Sequence, residues 1–581
     1  MWLHPNTTRF GAAEGLEERP YIDTPHLSYV KWLRASQVDG VTWIATFNPA
    51  PSAKVAIIGG GAAGLSAAFE LLAAGLDVTV YEQSDQPGGR MDSVPFQTGS
   101  PDLTELGAMR FPPSEETLFY YFQKFGIQTT PDFPDPGKVP TLVSFKGDVQ
   151  KLSGTTPPPG FETVAGGWSA LVSDGATLDG VTLAAPNQIG TWMASGDADQ
   201  VAQAIAAWQQ WIRVMVDRSL FNGLAAIFGA PNPPGGKTWA YPEDYERFAA
   251  LGSGFGGFGP LYQVGFLELL RLVINGLETD QVFVPGGIRQ VAKGFLTTPI
   301  TRPDGSTTYL SDHVRTGVTC GQVTRTSAGL TIESNTGTLQ ADRVIVATTT
   351  RAMEIDTGAT RFGDGALLPA EAAAGVNTLH MMNSSKIFVR TKTRFWEGGG
   401  TRAILNDTLS RAVYTLSYDD PSGTGVVLVS YVWGDASTKQ ITLDKQARLA
   451  ALRADIAEID PDFAENLEPA DGDYDTNVRM IDWETEPHYY GAFKLNRPGQ
   501  DHYCQSAYYA FLTAGTAQDT GVFVAGSALS WTGGWIEGAL QTGLNAAAAV
   551  VTSLGGTLTS ASYNPMTQLA PGTDDYAPAG K

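Results

Sequence analysis

Cysteine, histidine and positive charge are scarce in this chain of 581 residues. Its two cysteines, Cys320 and Cys504, lie far apart in the sequence, which indicates neither a disulfide framework nor a thiolate metal site. The six histidines show no HExxH or similar spacing, so we expect no catalytic metal. Lys and Arg number 38 against 60 Asp and Glu, and the net charge of −22 argues against nucleic acid or a membrane surface as a partner.

Long apolar runs are lacking as well. The longest one, residues 55–76, is interrupted by several glycines and by Glu70, a pattern typical of a strand, a turn and a helix and not of a membrane span. The N-terminal sequence MWLHP lacks the basic segment and apolar run of a secretory signal. We therefore expect a soluble, cytoplasmic protein, since a reducing compartment also fits the scarcity of cysteine.

Glycine and alanine, in contrast, are concentrated in residues 54–82, which predict a βαβ unit with a glycine turn after its first strand. Gly59, Gly61 and Gly64 match the GxGxxG pattern of a dinucleotide site in this context. They would permit a tight turn, close approach of a pyrophosphate and close packing of the helix, respectively. Glu82 ends the second strand, where an acidic side chain accepts hydrogen bonds from the adenosine ribose and favours FAD or NAD over NADP.

Several further segments resemble the flavin amine oxidase family, and within it the bacterial tryptophan 2-monooxygenases and related L-amino acid oxidases. The matching segments are GGGAAGL, PGGR, ELGAMRFPPS, FPDPGKVPT, SSKIFV, GAFKLNRPG and GGWIEGALQTGLNAA. The likeness spans about residues 50–555. It implies FAD as the cofactor and an α/β fold, with a Rossmann-type FAD-binding domain, a mixed-sheet substrate-binding domain and a helix-rich insertion.

The length exceeds what one hydrophobic core usually supports, so we divide the chain into several parts. These are an N-terminal arm (1–50), a discontinuous FAD-binding domain (51–112, 285–350 and 516–555), the helix-rich insertion (113–284), the substrate-binding domain (351–515) and a C-terminal tail (556–581). Within the FAD-binding domain, the strand-like runs GLTIES and ADRVIVATTT are both expected to extend the parallel sheet. We expect the tail, rich in Ser, Thr, Pro and Gly, to be poorly ordered.

The resemblance assigns FAD contacts to residues in most of the matching segments. They are Gly59, Gly61, Ala63, Gly64, Glu82, Gly89, Arg90, Met109, Arg110, Val323, Gly526, Ser527, Gly534, Trp535 and Ile536. Ser527 departs from the family pattern, because many members place an acidic residue there near the pyrophosphate. That difference puts one contact in doubt and leaves the cofactor unaffected.

Two cations are candidate catalytic residues. Arg110 carries a guanidinium suited to bidentate recognition of a carboxylate, and the resemblance implies that it binds the substrate α-carboxylate. The alternative is a structural arginine that contacts carbonyls or FAD. Lys386 lies in an alternating apolar run, and the resemblance implies that it binds a water near flavin N5 and helps reduced flavin react with oxygen. The alternative is an exposed lysine on a strand.

Four aromatic side chains are candidates for the substrate pocket. They are Tyr414, Trp483, Phe493 and Trp535, which resemble residues that line the side-chain pocket or face the flavin in the tryptophan enzymes. Large aromatic rings can clamp a flat substrate. The alternative for each is an ordinary place in the hydrophobic core.

These features predict an enzyme that transfers a hydride from Cα of an apolar or aromatic L-amino acid to flavin N5, followed by reaction with molecular oxygen. An oxidase, which releases the imino acid and forms a 2-oxo acid, ammonia and hydrogen peroxide, is the preferred outcome. The alternative is a tryptophan or phenylalanine 2-monooxygenase, which forms the amide, carbon dioxide and water. A non-catalytic flavin-binding protein and an oxidase or dehydrogenase of simple amines are further alternatives. We also expect a homo-oligomer.

Overall fold

The computed structural model describes residues 20–38, 40–48, 51–152, 154, 156–251, 259–327, 329–418, 420–513, 520–569 and 576. Two large sheets organise these residues. The first is a five-stranded parallel sheet, with strands in the spatial order Val314–Arg315, Asp77–Tyr81, Lys54–Ile58, Arg343–Val346 and Val522–Val524. All five strands lie in the three segments assigned to the FAD-binding domain, and the α/β fold class is confirmed. The division into domains itself stays a prediction.

Two helices, Ala62–Ala73 and Ile536–Ser553, pack against each other beside the parallel sheet. A Cβ atom on Gly543 would lie 2.3 Å from Ser66 Oγ and 2.4 Å from the carbonyl oxygen of Ala63, so the two helix backbones approach as closely as glycine permits. This contact explains the abundance of small residues in both helices. It holds the N-termini of both helices in fixed positions.

The run GLTIES does not extend the parallel sheet, so that expectation was wrong. It forms Gly329–Ser334, the middle strand of a separate antiparallel sheet between Cys320–Thr326 and Leu339–Ala341. Its side chains alternate between buried and more exposed positions, as in a sheet that packs on one face. The following run, Arg343–Val346, is buried on both faces and does join the parallel sheet.

The second large sheet has seven strands and is mixed. In spatial order they are Val478–Asp482, Ser384–Thr391, Gly425–Trp433, Ala412–Leu416, Ala403–Asn406, Thr141–Phe145 and Asp148–Leu152. Only the pair formed by Ala403–Asn406 and Thr141–Phe145 is parallel. The last two strands come from the segment predicted to be a helix-rich insertion, which therefore also completes the edge of this sheet. Their pairing with strands some 260 residues away is not visible in local sequence patterns.

Helices are the main regular elements in the rest of segment 113–284. They are Glu116–Phe125, Glu162–Asp174, Pro186–Ala194, Ala198–Met215, Leu220–Phe228, Glu243–Leu251 and Phe266–Ile274. Further helices are Arg289–Thr297, Ala370–Thr378, Lys445–Ala457 and Asp501–Thr513. No helix within the described ranges is both long and apolar enough to cross a membrane.

The described parts of the N-terminal arm and the C-terminal tail are paired with each other. The arm forms the helix Tyr29–Ala35, whose Trp32 is fully buried. Strand Ala45–Thr46 of the arm pairs with Thr557–Leu558 of the tail. The tail thus contains ordered elements, contrary to the expectation from its composition, because a partner distant in sequence satisfies its backbone.

Candidate active site

A cavity of about 1350 Å³, its open mouth included, lies between the two large sheets. On the side of the parallel sheet, its walls are residues at or just beyond the carboxyl ends of the strands, where open α/β sheets bind ligands. These residues include Gly59, Gly61, Tyr81, Glu82, Ala347 and Gly526. On the side of the mixed sheet, the walls are formed by Ser384, Lys386, Tyr431 and Trp483.

The predicted dinucleotide turn has the geometry that a bound pyrophosphate requires. Gly59 has φ +104°, and a Cβ atom on it would lie 2.7 Å from the carbonyl oxygen of Ala347. A Cβ atom on Gly64 would lie 2.0 Å from the carbonyl oxygen of Gly59. Gly61 precedes the helix Ala62–Ala73 and offers no capping side chain, so the first N–H groups of the helix are open to an anion. This turn fits the pyrophosphate of a dinucleotide.

Glu82 is buried at the end of the second strand and faces the cavity. Its Oε2 accepts a hydrogen bond from the N–H of Gly60 at 2.7 Å, and its Oε1 accepts from the N–H and the hydroxyl of Ser84 at 2.9 and 2.8 Å. A carboxylate has about four acceptor positions, so Glu82 keeps capacity for ribose hydroxyls. Its neighbours hold the carboxylate in place.

The Gly88-Gly89-Arg90 segment closes over the turn. Gly88 donates its N–H to the carbonyl oxygen of Gly60 at 2.8 Å, and Gly89 has φ +58°. The Arg90 guanidinium donates to the hydroxyl of Ser527 at 3.3 Å and also to the carbonyl oxygen of Ala492. Ser527, the departure from the family pattern, thus lies on the cavity wall as a neutral partner of Arg90.

The C-terminal matching segment also lies on the cavity wall. Gly526, Gly534, Trp535 and Ile536 all border the cavity, and the helix Ile536–Ser553 begins there without a capping side chain. Gly526 has φ +146°, a conformation that favours glycine. The cavity therefore receives the N-termini of two helices, as expected for a site that holds a phosphate-bearing group.

Lys386 points from the strand Ser384–Thr391 into the cavity and is 3% exposed. Its Nζ donates to the main-chain carbonyl oxygens of Glu105, at 3.0 Å, and of Gly107. It also lies 4.7 Å from the ring centre of Tyr431, its neighbour on the adjacent strand. The alternative of an exposed lysine on a strand is therefore wrong.

The charge of Lys386 is weakly compensated. Burial lowers the pKa of its ammonium group to about 7, against the opposing attraction of Glu105, and the positive charge of Arg110 lowers it further. Burial also raises the pKa of Glu105 to about 8. Both groups therefore change charge near neutral pH, which is typical of residues that handle protons in catalysis.

Three of the four predicted aromatic residues border the cavity. Trp483 is fixed by a hydrogen bond from its indole N–H to the carbonyl oxygen of Leu106 at 3.1 Å. The ring of Phe493 lies edge-on to Trp433, with 5.1 Å between centroids. Trp535 precedes the second helix and is half-buried. These rings can enclose a flat apolar group.

Arg110 and Tyr414 do not line the cavity, but lie together close behind it. Arg110 lies on the same loop as the wall residues Gly107 and Ala108, two positions after Ala108. Its positive charge adds to the lowering of the Lys386 pKa by burial and opposes the rise that burial causes in the pKa of Tyr431. Arg110 Nη2 lies 3.6 Å from Glu278 Oε2. Burial raises the pKa of Tyr414 above its usual range, and the positive charge of Arg110 opposes this.

Three predicted cofactor contacts also lie off the cavity wall. Gly64 lies beneath the turn, as its packing role requires, and Met109 is buried behind the loop. Val323 pairs with Ile332 in the separate antiparallel sheet. The residues of that region that reach the cavity are Val318, Thr319 and Cys320.

Sequence reasoning missed several residues of the site. Tyr431 is brought to Lys386 by strand pairing, Glu105 lies at the end of strand Leu103–Glu105, and Glu278 approaches Arg110 from a segment far away in the chain. The run GVVLVSYVW indicated a strand, but no local pattern indicated which residue it would pair with. Glu278 lies in a segment without any recognisable motif.

Comparison with known proteins identifies relatives over most of the chain. The family model for flavin containing amine oxidoreductases matches residues 62–551. The chain is 43% identical to a tryptophan 2-monooxygenase of Pseudomonas savastanoi over 517 residues, covering 87% of this chain and 91% of that protein. It is 42% identical to a tryptophan 2-monooxygenase of Pantoea agglomerans pv. gypsophilae over 550 residues, covering 93% and 95%.

Solved structures share the fold at low sequence identity. A triple mutant of putrescine oxidase superposes with a TM-score of 0.62 at 19% identity, covering 86% of this chain and 99% of that one. Cyclohexylamine oxidase from Brevibacterium oxydans IH-35A gives 0.57 at 18% identity, covering 87% and 100%. The dinucleotide turn and the two helix N-termini fit FAD, which is the cofactor. The chain belongs to the flavin-containing amine oxidoreductase family.

Proposed function

We propose that this enzyme is an L-amino acid 2-monooxygenase that prefers tryptophan or a similar aromatic amino acid. The overall reaction converts the amino acid and one molecule of oxygen into the amide shortened by one carbon, carbon dioxide and water. The observation that carries the proposal is the identity of 42–43% to two tryptophan 2-monooxygenases along nearly their whole length. It favours this outcome over the oxidase preferred from sequence.

The arrangement of charged groups supports the oxidation of an amino acid. FAD, when bound, supplies the acceptor for the hydride that leaves Cα, which carries the two electrons of the oxidation. Arg110 binds the α-carboxylate, because its guanidinium lies next to the cavity loop and acts electrostatically on Lys386 and Tyr431. An anchored carboxylate fixes the orientation of Cα.

The walls support an aromatic substrate. Trp483, Phe493 and Trp535 present large apolar faces to the cavity. Lys386 holds or releases a proton at Nζ near neutral pH, and two main-chain carbonyl oxygens fix Nζ at the cavity, where it would bind the water that the resemblance assigns to it beside the flavin. A site that keeps the imino acid enclosed favours decarboxylation over release.

Product analysis tests this proposal. With tryptophan and phenylalanine, we expect amide and carbon dioxide in equal amounts and little hydrogen peroxide. With leucine and methionine, which fill the aromatic pocket less completely, we expect more 2-oxo acid and peroxide. Stoichiometric peroxide and 2-oxo acid from tryptophan would establish the oxidase instead.

Two further assays separate the remaining alternatives. Anaerobic addition of tryptophan should bleach the bound flavin, whereas a non-catalytic flavin-binding protein would stay yellow. Tryptamine has the same indole group without a carboxylate, so we expect it to be a poor substrate. Equal turnover of tryptamine and tryptophan would indicate an oxidase of simple amines.

A further inference from the structure

Glu278 is a buried acidic side chain beside Arg110. Its side chain is 1% exposed, and Oε2 lies 3.6 Å from Arg110 Nη2, beyond normal hydrogen-bonding distance. Neither oxygen of Glu278 accepts a hydrogen bond from any described residue. Burial of a carboxyl group without hydrogen bonds is costly, and such groups occur mainly where a ligand or function requires them.

The backbone holds Glu278 and Arg110 together. Phe111, next to Arg110, exchanges two hydrogen bonds with Val282: its N–H donates at 3.0 Å and its carbonyl oxygen accepts at 2.9 Å. On the N-terminal side of Glu278, the carbonyl oxygen of Gly276 accepts a hydrogen bond from the hydroxyl of Ser114 at 2.9 Å. The segment that carries Glu278 is therefore joined, both before and after Glu278, to the residues that follow Arg110.

Burial is the largest influence on the protonation of Glu278. Burial raises its pKa to about 8, and the positive charge of Arg110 opposes this whereas the negative charge of Asp135 adds to it. Tyr414 and Tyr431 interact electrostatically with both Glu278 and Arg110. The hydroxyl of Tyr414 is buried and also has no hydrogen-bond partner among the described residues.

A substrate carboxylate at Arg110 would be a second anion beside the same guanidinium. An arginine has five N–H donors and can contact two carboxyl groups at once. Two carboxylates this close repel each other, and the repulsion is removed when one of them carries a proton. Glu278 is the one that can be protonated near neutral pH, because the α-carboxyl group of an amino acid is ionised there.

We propose that Glu278 is a positioning residue for Arg110, and that the substrate carboxylate binds when Glu278 is protonated. This inference rests on the proposed function, because it requires Arg110 to bind the α-carboxylate. Above the pH at which Glu278 ionises, binding takes up one proton from solution onto its carboxylate. Affinity for a carboxylate should therefore be constant well below pH 8 and fall by about tenfold per pH unit above it.

The test uses a ligand without an amino group, because the amine of a substrate also titrates at alkaline pH. We would measure the Kd of 3-indolepropionate from the absorbance change of the bound flavin, between about pH 6 and about pH 10. The uncharged 3-indolepropionamide is the matched ligand. In the wild type, the Kd of the acid should rise above pH 8 while that of the amide stays constant.

In the variant Glu278→Gln, the Kd of the acid should no longer rise about tenfold per pH unit above pH 8, and it should lie within a few-fold of the wild-type value at pH 6. Glu70→Gln is the matched control, since Glu70 is another buried carboxyl group with a raised pKa, bonded to Tyr121. It should keep the wild-type profile. A wild-type Kd for the acid that is independent of pH overturns the inference without any variant.

Arg110→Met separates this inference from the proposed function. If this variant binds the acid as tightly as the wild type, Arg110 does not bind carboxylates, and the role of Arg110 in the proposed function fails together with the inference, while product analysis still tests the reaction itself. If Arg110→Met loses the acid but Glu278→Gln keeps the wild-type pH profile, only the role of Glu278 is refuted.

Discussion

Two buried groups of charges adjoin the cavity and differ in the distances between their oppositely charged atoms. In the first group, Arg271 Nε lies 2.8 Å from Asp23 and its Nη2 lies 2.9 Å from Asp501, while Lys494 Nζ lies 3.0 Å from Glu268. All five side chains are at most 4% exposed. We call these residues the Arg271 network.

The second group contains Arg110 and Lys386. Glu278 Oε2 lies 3.6 Å from Arg110 Nη2, and Lys386 donates to main-chain carbonyl oxygens. The Arg271 network lies directly behind the cavity wall, because Lys494 follows the wall residue Phe493 in the chain. The carbonyl oxygen of Lys494 also packs closely on Gly533, since it would lie 2.2 Å from a Cβ atom there. The short ion pairs of the Arg271 network support the wall, whereas the proposed function assigns the charges of the second group to the substrate.

The largest effect is expected from breaking the closely paired group. Arg271→Met leaves two buried carboxylates without their partner and should destabilise the protein by about 3–5 kcal/mol, seen as a lower Tm. Arg453→Met, which removes a partly exposed pair with Glu468, is the control and should cost at most about 1 kcal/mol. Equal Tm values for the two variants would contradict the comparison.

Arg110→Met should affect catalysis more than stability. We expect kcat/KM for tryptophan to fall by about 10²–10³-fold, since a buried charged partner of the carboxylate is lost. The Tm at pH 6 should fall less than in Arg271→Met, because Glu278, with its pKa raised to about 8, is then neutral. Steady-state kinetics and thermal melts check both parts. A large loss of stability with unchanged kinetics would place Arg110 among the structural residues.

Lys386→Met should slow the reaction of the reduced enzyme with oxygen by about 10²-fold, the scale of acid–base catalysis. The wild-type rate should also change as pH rises through about 7, where burial makes the ammonium lose its proton, and the variant should lack this change. Stopped-flow mixing of anaerobically reduced enzyme with oxygen measures the rate. Flavin reduction by tryptophan serves as the internal control and should change less. If the variant kept the pH dependence of the wild-type reaction with oxygen, Lys386 would have no part in that reaction.

The smallest effect is expected at Tyr414, whose hydroxyl has no hydrogen-bond partner among the described residues. Tyr414→Phe should leave the Tm nearly unchanged and raise KM by about tenfold or less, if the hydroxyl binds substrate. Tyr121→Phe is the matched control, because that hydroxyl donates to Glu70 at 3.0 Å and its loss should lower stability by about 1–2 kcal/mol. A Tm loss in Tyr414→Phe as large as in Tyr121→Phe would show that its hydroxyl is paired.

The parts of the site that could be predicted depend on local backbone geometry. The turn from Gly59 to Gly64 and the Gly88-Gly89-Arg90 segment lie where their motifs placed them, because glycine spacing determines the path of the adjacent backbone. Trp535 likewise follows a glycine pair and borders the cavity. The individual roles of these residues toward FAD stay predictions.

Distant contacts account for what the sequence patterns could not predict. The strand Thr141–Phe145 completes a sheet with Ala403–Asn406, and the tail pairs with the arm. Val323 lies on the strand next to the cavity segment 318–320 but does not reach the wall. Alternation of apolar residues indicates a strand without indicating its partner or its position in a sheet.

The sequence by itself determined the FAD-binding turn, the family and the residue types that the chemistry requires, because short-range spacing and backbone conformation are written in consecutive residues. Only the tertiary structure decided that Lys386 is buried against carbonyl oxygens 279 and 281 residues away, and that Glu278 lies beside Arg110. Burial and the approach of distant charges set the protonation of these groups, and both arise only when the chain is folded.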